Sequence, residues 1–148
     1  MADKTLTVGG WMTPNPITIE QDASVIEAIH LLKEKSIRRL PVMKKGKLVG
    51  LVTEKMLAAY TPGKATTLDQ WELHGLLDKT KVKAAMNAEP YKVHPETPLA
   101  EATQLLHDKK LNGVLVVDEH DQLAGVFTTT NVFEALVHFA GAAAAATR

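Results

Sequence analysis

The chain has 148 residues with 17 basic and 17 acidic side chains, so it lacks the basic excess that holds nucleic acid regardless of sequence. Hydrophobic content of 45% and charged content of 23% are ordinary for a soluble globular protein, and no run reaches the roughly 20 apolar residues that span a bilayer. Cysteine is absent, which removes disulfides and thiolate metal sites, and no apolar run follows Met1-Ala2-Asp3-Lys4 as in a secretory signal, so the expectation is a cytoplasmic protein with neither nucleic acid nor membrane as partner.

Pro14 and Pro16 break the chain ahead of Ile17-Thr18-Ile19, a short strand. Ser24-Val25-Ile26-Glu27 has capping-box spacing, and Val25, Ala28, Ile29 and Leu32 then share one face at helical period. Leu40-Pro41-Val42-Met43 reads as a strand. Lys44-Lys45-Gly46-Lys47 is a hairpin turn in which glycine takes a positive φ cheaply. Leu48 to Val52 is the return strand, and Glu54 to Tyr60 a short helix. Thr61-Pro62-Gly63 closes this unit. Thr67 to Lys79 reads as a connecting helix, with Leu68, Trp71, Leu76 and Leu77 as its apolar members and Trp71 as a packing residue.

Tyr91-Lys92-Val93 is the next strand. Thr97 is expected to cap a helix with Pro98 at its first position, where a missing N–H costs nothing. Leu99, Ala102, Thr103 and Leu106 form its buried face. Val114 to Val117 and Leu123 to Phe127 make a second hairpin, and Thr129 onward is helical through about Phe139. The five alanines after Gly141, with Thr147 and Arg148, read as a frayed helical extension without an assigned role.

These elements recur because the sequence does. Met12 matches Met86, Pro16 matches Pro90, Glu27-Ala28 matches Glu101-Ala102, and Leu31-Leu32 matches Leu105-Leu106. Lys35 matches Lys109 and Val42 matches Val116; after one extra residue near Asp118-Glu119-His120-Asp121, Leu48, Gly50 and Thr53 match Leu123, Gly125 and Thr128. Upstream, Val8 stands at the same offset from Val82. A unit of about 55 residues has a marginal core alone. Two copies therefore suggest one fused module with two-fold pseudosymmetry and a ligand at the seam. The division is residues 6–60, a linker at 61–80 with its connecting helix, residues 81–140, and a tail at 141–148.

Met12-Thr13-Pro14, Arg39-Leu40-Pro41-Val42 and Gly50-Leu51-Val52-Thr53, with Ala85-Met86, Gly113 to Asp118 and Gly125-Val126-Phe127-Thr128, resemble a tandem pair of cystathionine-β-synthase (CBS) domains, a Bateman module. The resemblance covers residues 8 to 138. The segment Thr67 to Leu73 before Lys81-Val82 is also similar, less specifically, to acetoin-utilisation-type CBS proteins. The resemblance implies an α/β fold of two β-α-β-β-α repeats packed sheet to sheet with pseudo-two-fold symmetry. It also implies clefts for an adenosyl compound (AMP, ADP, ATP or S-adenosylmethionine), a homodimer, and a regulated enzyme, channel or transporter as partner.

In that family the string Gly-x-x-Thr-x-x-Asp supplies ribose contacts through its Thr and Asp. The second copy reads Gly125 to Asn131, with Thr128 in place and Asn131 where the acid stands. Hydrogen bonds to charged groups contribute about 1.5–3 kcal/mol against about 0.5–1.5 for neutral pairs, so this site is expected to be softer but usable. Its walls would be Lys92, Val93, Val114, Leu115 and Val116, with Arg39 or Arg38 reaching a phosphate. In the first copy Met56 occupies the acid's place and accepts no useful hydrogen bond. Glu54 there repels phosphate, so the first site is expected empty or filled by something uncharged, with Thr18, Ile19 and Thr53 as its remaining candidates.

Each residue also has a plain reading. Thr53 and Thr128 are equally N-caps, Asn131 a solvated helix residue, and Arg38-Arg39 a surface pair for a neighbouring acid. The six histidines show no metal-binding spacing, and no nucleophile or phosphate-loop motif is present, so neither a catalytic cofactor nor a metal is expected. A ligand-free dimerising scaffold remains the competing reading.

Overall fold

The computed structural model describes residues 4–60, 75 and 77–146. It divides into two compact units, Ile17–Pro90 and Met1–Pro16 with Tyr91–Arg148.

In the first unit β2 (Ile19–Glu20), α1 (Val25–Lys35), β3 (Arg39–Lys44), β4 (Lys47–Thr53) and α2 (Glu54–Ala58) follow in order. The sheet order is β2-β3-β4. β2 runs parallel to β3 with Ile19 opposite Val42, so α1 is the crossover a parallel pair requires. Ser24 Oγ accepts from Glu27 N–H at 3.1 Å, which is the serine half of the expected capping box. α1 stops where Ser36 turns left-handed at φ 54°. The β3–β4 turn has positive φ at both Lys45 (48°) and Gly46 (78°), the combination that follows the natural twist of a hairpin. Val25, Ala28 and Leu32 of α1 bury against Leu40, Val42 and Val52 of the sheet.

The second unit repeats the plan with β5 (Lys92–Val93), α4 (Leu99–Lys109), β6 (Gly113–Val117), β7 (Leu123–Thr128) and α5 (Thr129–Ala146). α4 ends at Lys110, left-handed at φ 55°, as α1 ends at Ser36. Val8, Val93, Ala102, Leu106, Val114, Val116 and Phe127 form its core. The sheet has a fourth strand, β1 (Thr13–Pro14), in the order β1-β7-β6-β5.

That extra strand shows that sequence repeats and compact units are cut differently. The segment leading each copy packs on the other copy's sheet. Thr13 pairs with Val126 and Pro14 with Gly125; Asn87, just beyond α3 (Val82–Ala85), bridges Leu51 on β4. Hence Val82 and Ala85 belong to the first unit's core, and Val8 to the second's.

Three local expectations change, and a fourth is described only in part. The first strand is Ile19–Glu20, shifted from Ile17-Thr18-Ile19, because its register is set by pairing with Val42 and Met43. Pro98 itself is the N-cap of α4, and Thr97 instead accepts from His94 N–H at 2.9 Å. The last helix continues to Ala146, past Phe139, as alanine's helix propensity favours. Of the expected connecting helix only Gly75, Leu77, Asp78 and Lys79 are described, all helical; Trp71 lies outside the described residues. Leu77 joins the first unit's core.

Candidate functional site

In the second unit, Thr128 ends β7 opposite Gly113, and Thr129 N–H anchors α5 by donating to Asn112 C=O at 3.1 Å. Asn131, three residues on, reaches back over this turn. Its Oδ1 accepts from Thr128 N–H at 2.9 Å and from the Thr128 hydroxyl at 3.3 Å. Its Nδ2 donates to Thr13 Oγ1 at 3.5 Å and Glu134 Oε1 at 3.4 Å. The side chain is 4% exposed, so the solvated reading of Asn131 is overturned. It ties β1, β7 and α5 together.

This arrangement assigns different chemistry to the two residues. Both acceptor positions of the Asn131 amide oxygen are in use, whereas the half-buried Thr128 hydroxyl can rotate and keeps its acceptor lone pairs. The Thr128 oxygen is thus the group at this turn with open acceptor positions. If the threonine O–H turns to a ligand, it frees one lone pair on Asn131 in the same movement. Sequence reasoning missed Thr13 and Glu134 as members of this cluster. Glu134 was accessible as an i,i+3 neighbour on α5, and Thr13 only from the fact that the leading segment packs on the other copy.

The strand residues sit across the same sheet. Lys92 pairs with Leu115 and Val93 with Val116. Val93, Val114 and Val116 face the unit's own core, and Leu115 is also fully buried. β6 is an interior strand paired with β7 on one side and β5 on the other, so of the two strands only β5, at the sheet edge, leaves backbone groups outside the ladder. Lys92 is exposed and lies 3.4 Å from Asp121, a surface ion pair of small energetic worth. In the adjoining turn Asp118 Oδ1 accepts from His120 N–H at 2.8 Å and Gln122 N–H at 2.9 Å. The Gln122 bond is the largest influence holding its carboxyl below the ordinary 3.8, with burial working the other way and the His120 bond assisting.

The first unit presents a different turn. Thr53 Oγ1 accepts from Met56 N–H at 3.1 Å, so Thr53 is an N-cap of α2. Met56 is half-buried and Glu54 exposed. Arg39 stands opposite Thr53 in the ladder. Its guanidinium is partly buried, and burial, then the neighbouring Arg38, lowers its pKa from the ordinary arginine value. Among the described residues neither arginine forms an ion pair, so the surface-pair reading is not what the fold shows. Thr18 is exposed and Ile19 buried. Arg38, Arg39, Thr18, Ile19 and Thr53 belong to the first unit, while Lys92, Thr128 and Asn131 belong to the second. Among the described residues no cluster of three or more histidine and acidic side chains is placed to hold a metal ion, and no helix is long and apolar enough to cross a membrane.

Comparison with known proteins places this architecture. A family model of the CBS domain matches residues 8–63 and again 82–138. A CBS domain-containing protein of Dictyostelium discoideum is 27% identical over 127 residues, covering 85% of this chain and 88% of that protein. The chloroplastic CBS domain-containing protein CBSX2 of Arabidopsis thaliana is 33% identical over 87% of this chain, which spans 63% of that relative. The crystal structure of CBSX2 in complex with AMP superposes with a TM-score of 0.76 at 33% identity, covering 90% of this chain and 98% of that one. An acetoin utilization protein (AcuB) from Vibrio cholerae has a TM-score of 0.75 at 23% identity, over 92% and 93% of the two chains, and shares the fold. Two matched copies, each with its strand-helix-strand-strand-helix order, make this chain a member of the CBS-domain family, carrying a tandem pair.

Proposed function

We propose that the chain is a regulatory module that binds an adenosyl compound through the second-repeat turn and the adjoining strand backbone. In this reading Thr128 and Asn131 hold the ribose, and the backbone of the edge strand Lys92-Val93 meets the adenine edge, as a short strand can, with Val114-Leu115-Val116 as the wall beside it. The observation that carries the reading is the Thr128 hydroxyl, half-exposed at the start of a long helix and held by a buried amide that can exchange partners. The relative seen with AMP, at 33% identity over most of both chains, supports AMP as the first ligand to test; ADP, ATP and S-adenosylmethionine follow. The first-repeat turn, with Met56 in the acid's position and Glu54 beside it, is expected to take no nucleotide. The module acts as a cytoplasmic homodimer, without catalysis of its own, read by an enzyme or transporter.

The competing scaffold reading draws on one specific observation: Asn131 is already satisfied without a ligand. A thermal-shift panel separates the two. A ligand at about 100-fold excess over Kd adds about 2.7 kcal/mol, which raises Tm by roughly 5–10 °C in a domain of this size. A rise with adenine compounds and none with guanine compounds supports the sensor. A flat panel at millimolar concentrations supports the scaffold.

A further inference from the structure

The second-repeat turn carries Asn131 where related turns carry an acid, yet a carboxylate stands behind the amide. Glu134, one turn further along α5, brings Oε1 to 3.4 Å from Asn131 Nδ2. It is the sole acidic or basic residue, histidine aside, among the 18 of Thr129–Ala146. Among the described residues it pairs with no basic side chain. Glu134 is exposed, whereas Asn131 is buried. The amide therefore links a charge at the surface to a buried turn. Its orientation is fixed, because Thr128 N–H at 2.9 Å requires the oxygen on its side. Nδ2 is thereby turned to Thr13 and Glu134. The first copy has neither half of this pair: Met56 stands at the matching position and Ala59 three residues on.

We propose that Glu134 is a positioning residue for the ribose: by accepting from Nδ2 it makes Asn131 Oδ1 a stronger acceptor, so that the two side chains together do the work of one acid. This deepens the ribose reading above and rests on it. A hydrogen bond to a carboxylate is stronger than one between neutral groups, and bonds in series polarise one another. Density drawn from Nδ2 appears on the conjugated oxygen, the atom that Thr128 and the ribose share. The 3.4 Å separation and the exposure of Glu134 keep the effect modest. Acting only through space, the same carboxylate would have the opposite sign and repel the phosphate of AMP. That repulsion runs through solvent and is screened, while the path through Asn131 lies in a buried amide. The second path therefore prevails.

The test is calorimetric titration of AMP and adenosine into the full chain, Glu134→Gln, Asn131→Asp and the double variant. Glu134→Gln keeps the side chain's length and removes its charge. The affinity of both ligands should fall at least about threefold, with Tm within about 2 °C of wild type as for an exposed site. In the Asn131→Asp background the same change should tighten binding instead. There the charge is already at position 131, no Nδ2 remains to donate, and only repulsion between carboxylates is removed. A merely structural role would move both backgrounds in one direction. Affinity unchanged or raised by Glu134→Gln in the wild-type background, or changes of one sign in both backgrounds, overturns the role of Glu134 and leaves the ribose reading standing. Absence of binding to the wild type overturns the ribose reading and this role with it. Proton spectra of the Asn131 side-chain amide give a ligand-free check: its signals should move upfield in Glu134→Gln, and signals that stay in place overturn the pairing alone.

Discussion

The sulfur of Met86 lies so close to Gly50 that a Cβ built on the glycine would stand 2.7 Å from it, with Asn87 C=O at 2.8 Å. Met12 and Gly125 repeat the relationship in the other unit, at 3.0 Å, with Thr13 C=O at 2.6 Å. The glycines and methionines matched in the sequence are thus partners in space, crosswise between copies. Gly50→Ala and Gly125→Ala should each destabilise by about 1–3 kcal/mol by overpacking. Gly125→Ala is expected to cost more, since its nearest neighbour is strand backbone paired with β7. Urea unfolding of the two variants checks both the size and the order.

Asn131→Ala removes the acceptor of the buried-side Thr128 N–H. The expected loss is about 1–3 kcal/mol of stability, as for other unsatisfied groups, with weaker AMP binding. Asn131→Asp replaces the amide by the family's acid, keeping the acceptor for Thr128 but bringing a second carboxylate near Glu134. It should bind AMP several-fold more tightly, by the difference between charged and neutral hydrogen bonds, while melting lower than wild type. Calorimetric titration and a melting curve on the same sample test this opposition; affinity and Tm moving in the same direction would contradict it.

Thr53→Ala and Ser24→Ala each delete a cap hydrogen bond, to Met56 N–H and Glu27 N–H respectively. Each should cost about 1 kcal/mol. Neither should alter AMP affinity, since the first-repeat turn is assigned a structural role. Denaturant midpoints and a nucleotide titration on each variant provide the check.

Asp118 supplies the pH-dependent contact of the β6–β7 turn. Its folded pKa is lowered below 3.8 by the N–H groups of Gln122 and His120. A lowered carboxyl contributes stability that is complete above the unfolded value and is lost as pH falls through the folded value. Protection of the His120 and Gln122 amides, taken relative to exchange in an unstructured chain at the same pH, should therefore be flat above about pH 5 and fall only in the acid range below 3.8. In Asp118→Ala protection should be low throughout, with loss of wild-type protection near neutrality the contradicting result.

The parts legible in the sequence were those governed by local rules. Ser24 and Glu27 announce α1, Lys45-Gly46 the first hairpin, and the doubled string the repeated strand-helix-strand-strand-helix order. What escaped depended on partners distant in sequence. Nothing near Thr13 shows that it joins Asn131, 118 positions away, because the leading segment belongs to the other copy's unit. Asn131 reads as a surface amide by its polarity; its burial comes from being held between β1 and the end of β7. Thr97-Pro98 fitted the capping rule, but His94 claims the threonine hydroxyl. The alanine run was legible as a helical extension, but the exposed apolar side of α5 was not, since exposure depends on packing.

The most direct measurement is isothermal titration of AMP into the wild-type chain and into Thr128→Val and Thr53→Val. The account predicts one adenine site per chain, weakened at least about tenfold by loss of the Thr128 hydroxyl, which is about 1.4 kcal/mol, and unchanged in Thr53→Val. No binding heat at millimolar AMP, or a loss confined to Thr53→Val, would contradict a ligand site at the second-repeat turn.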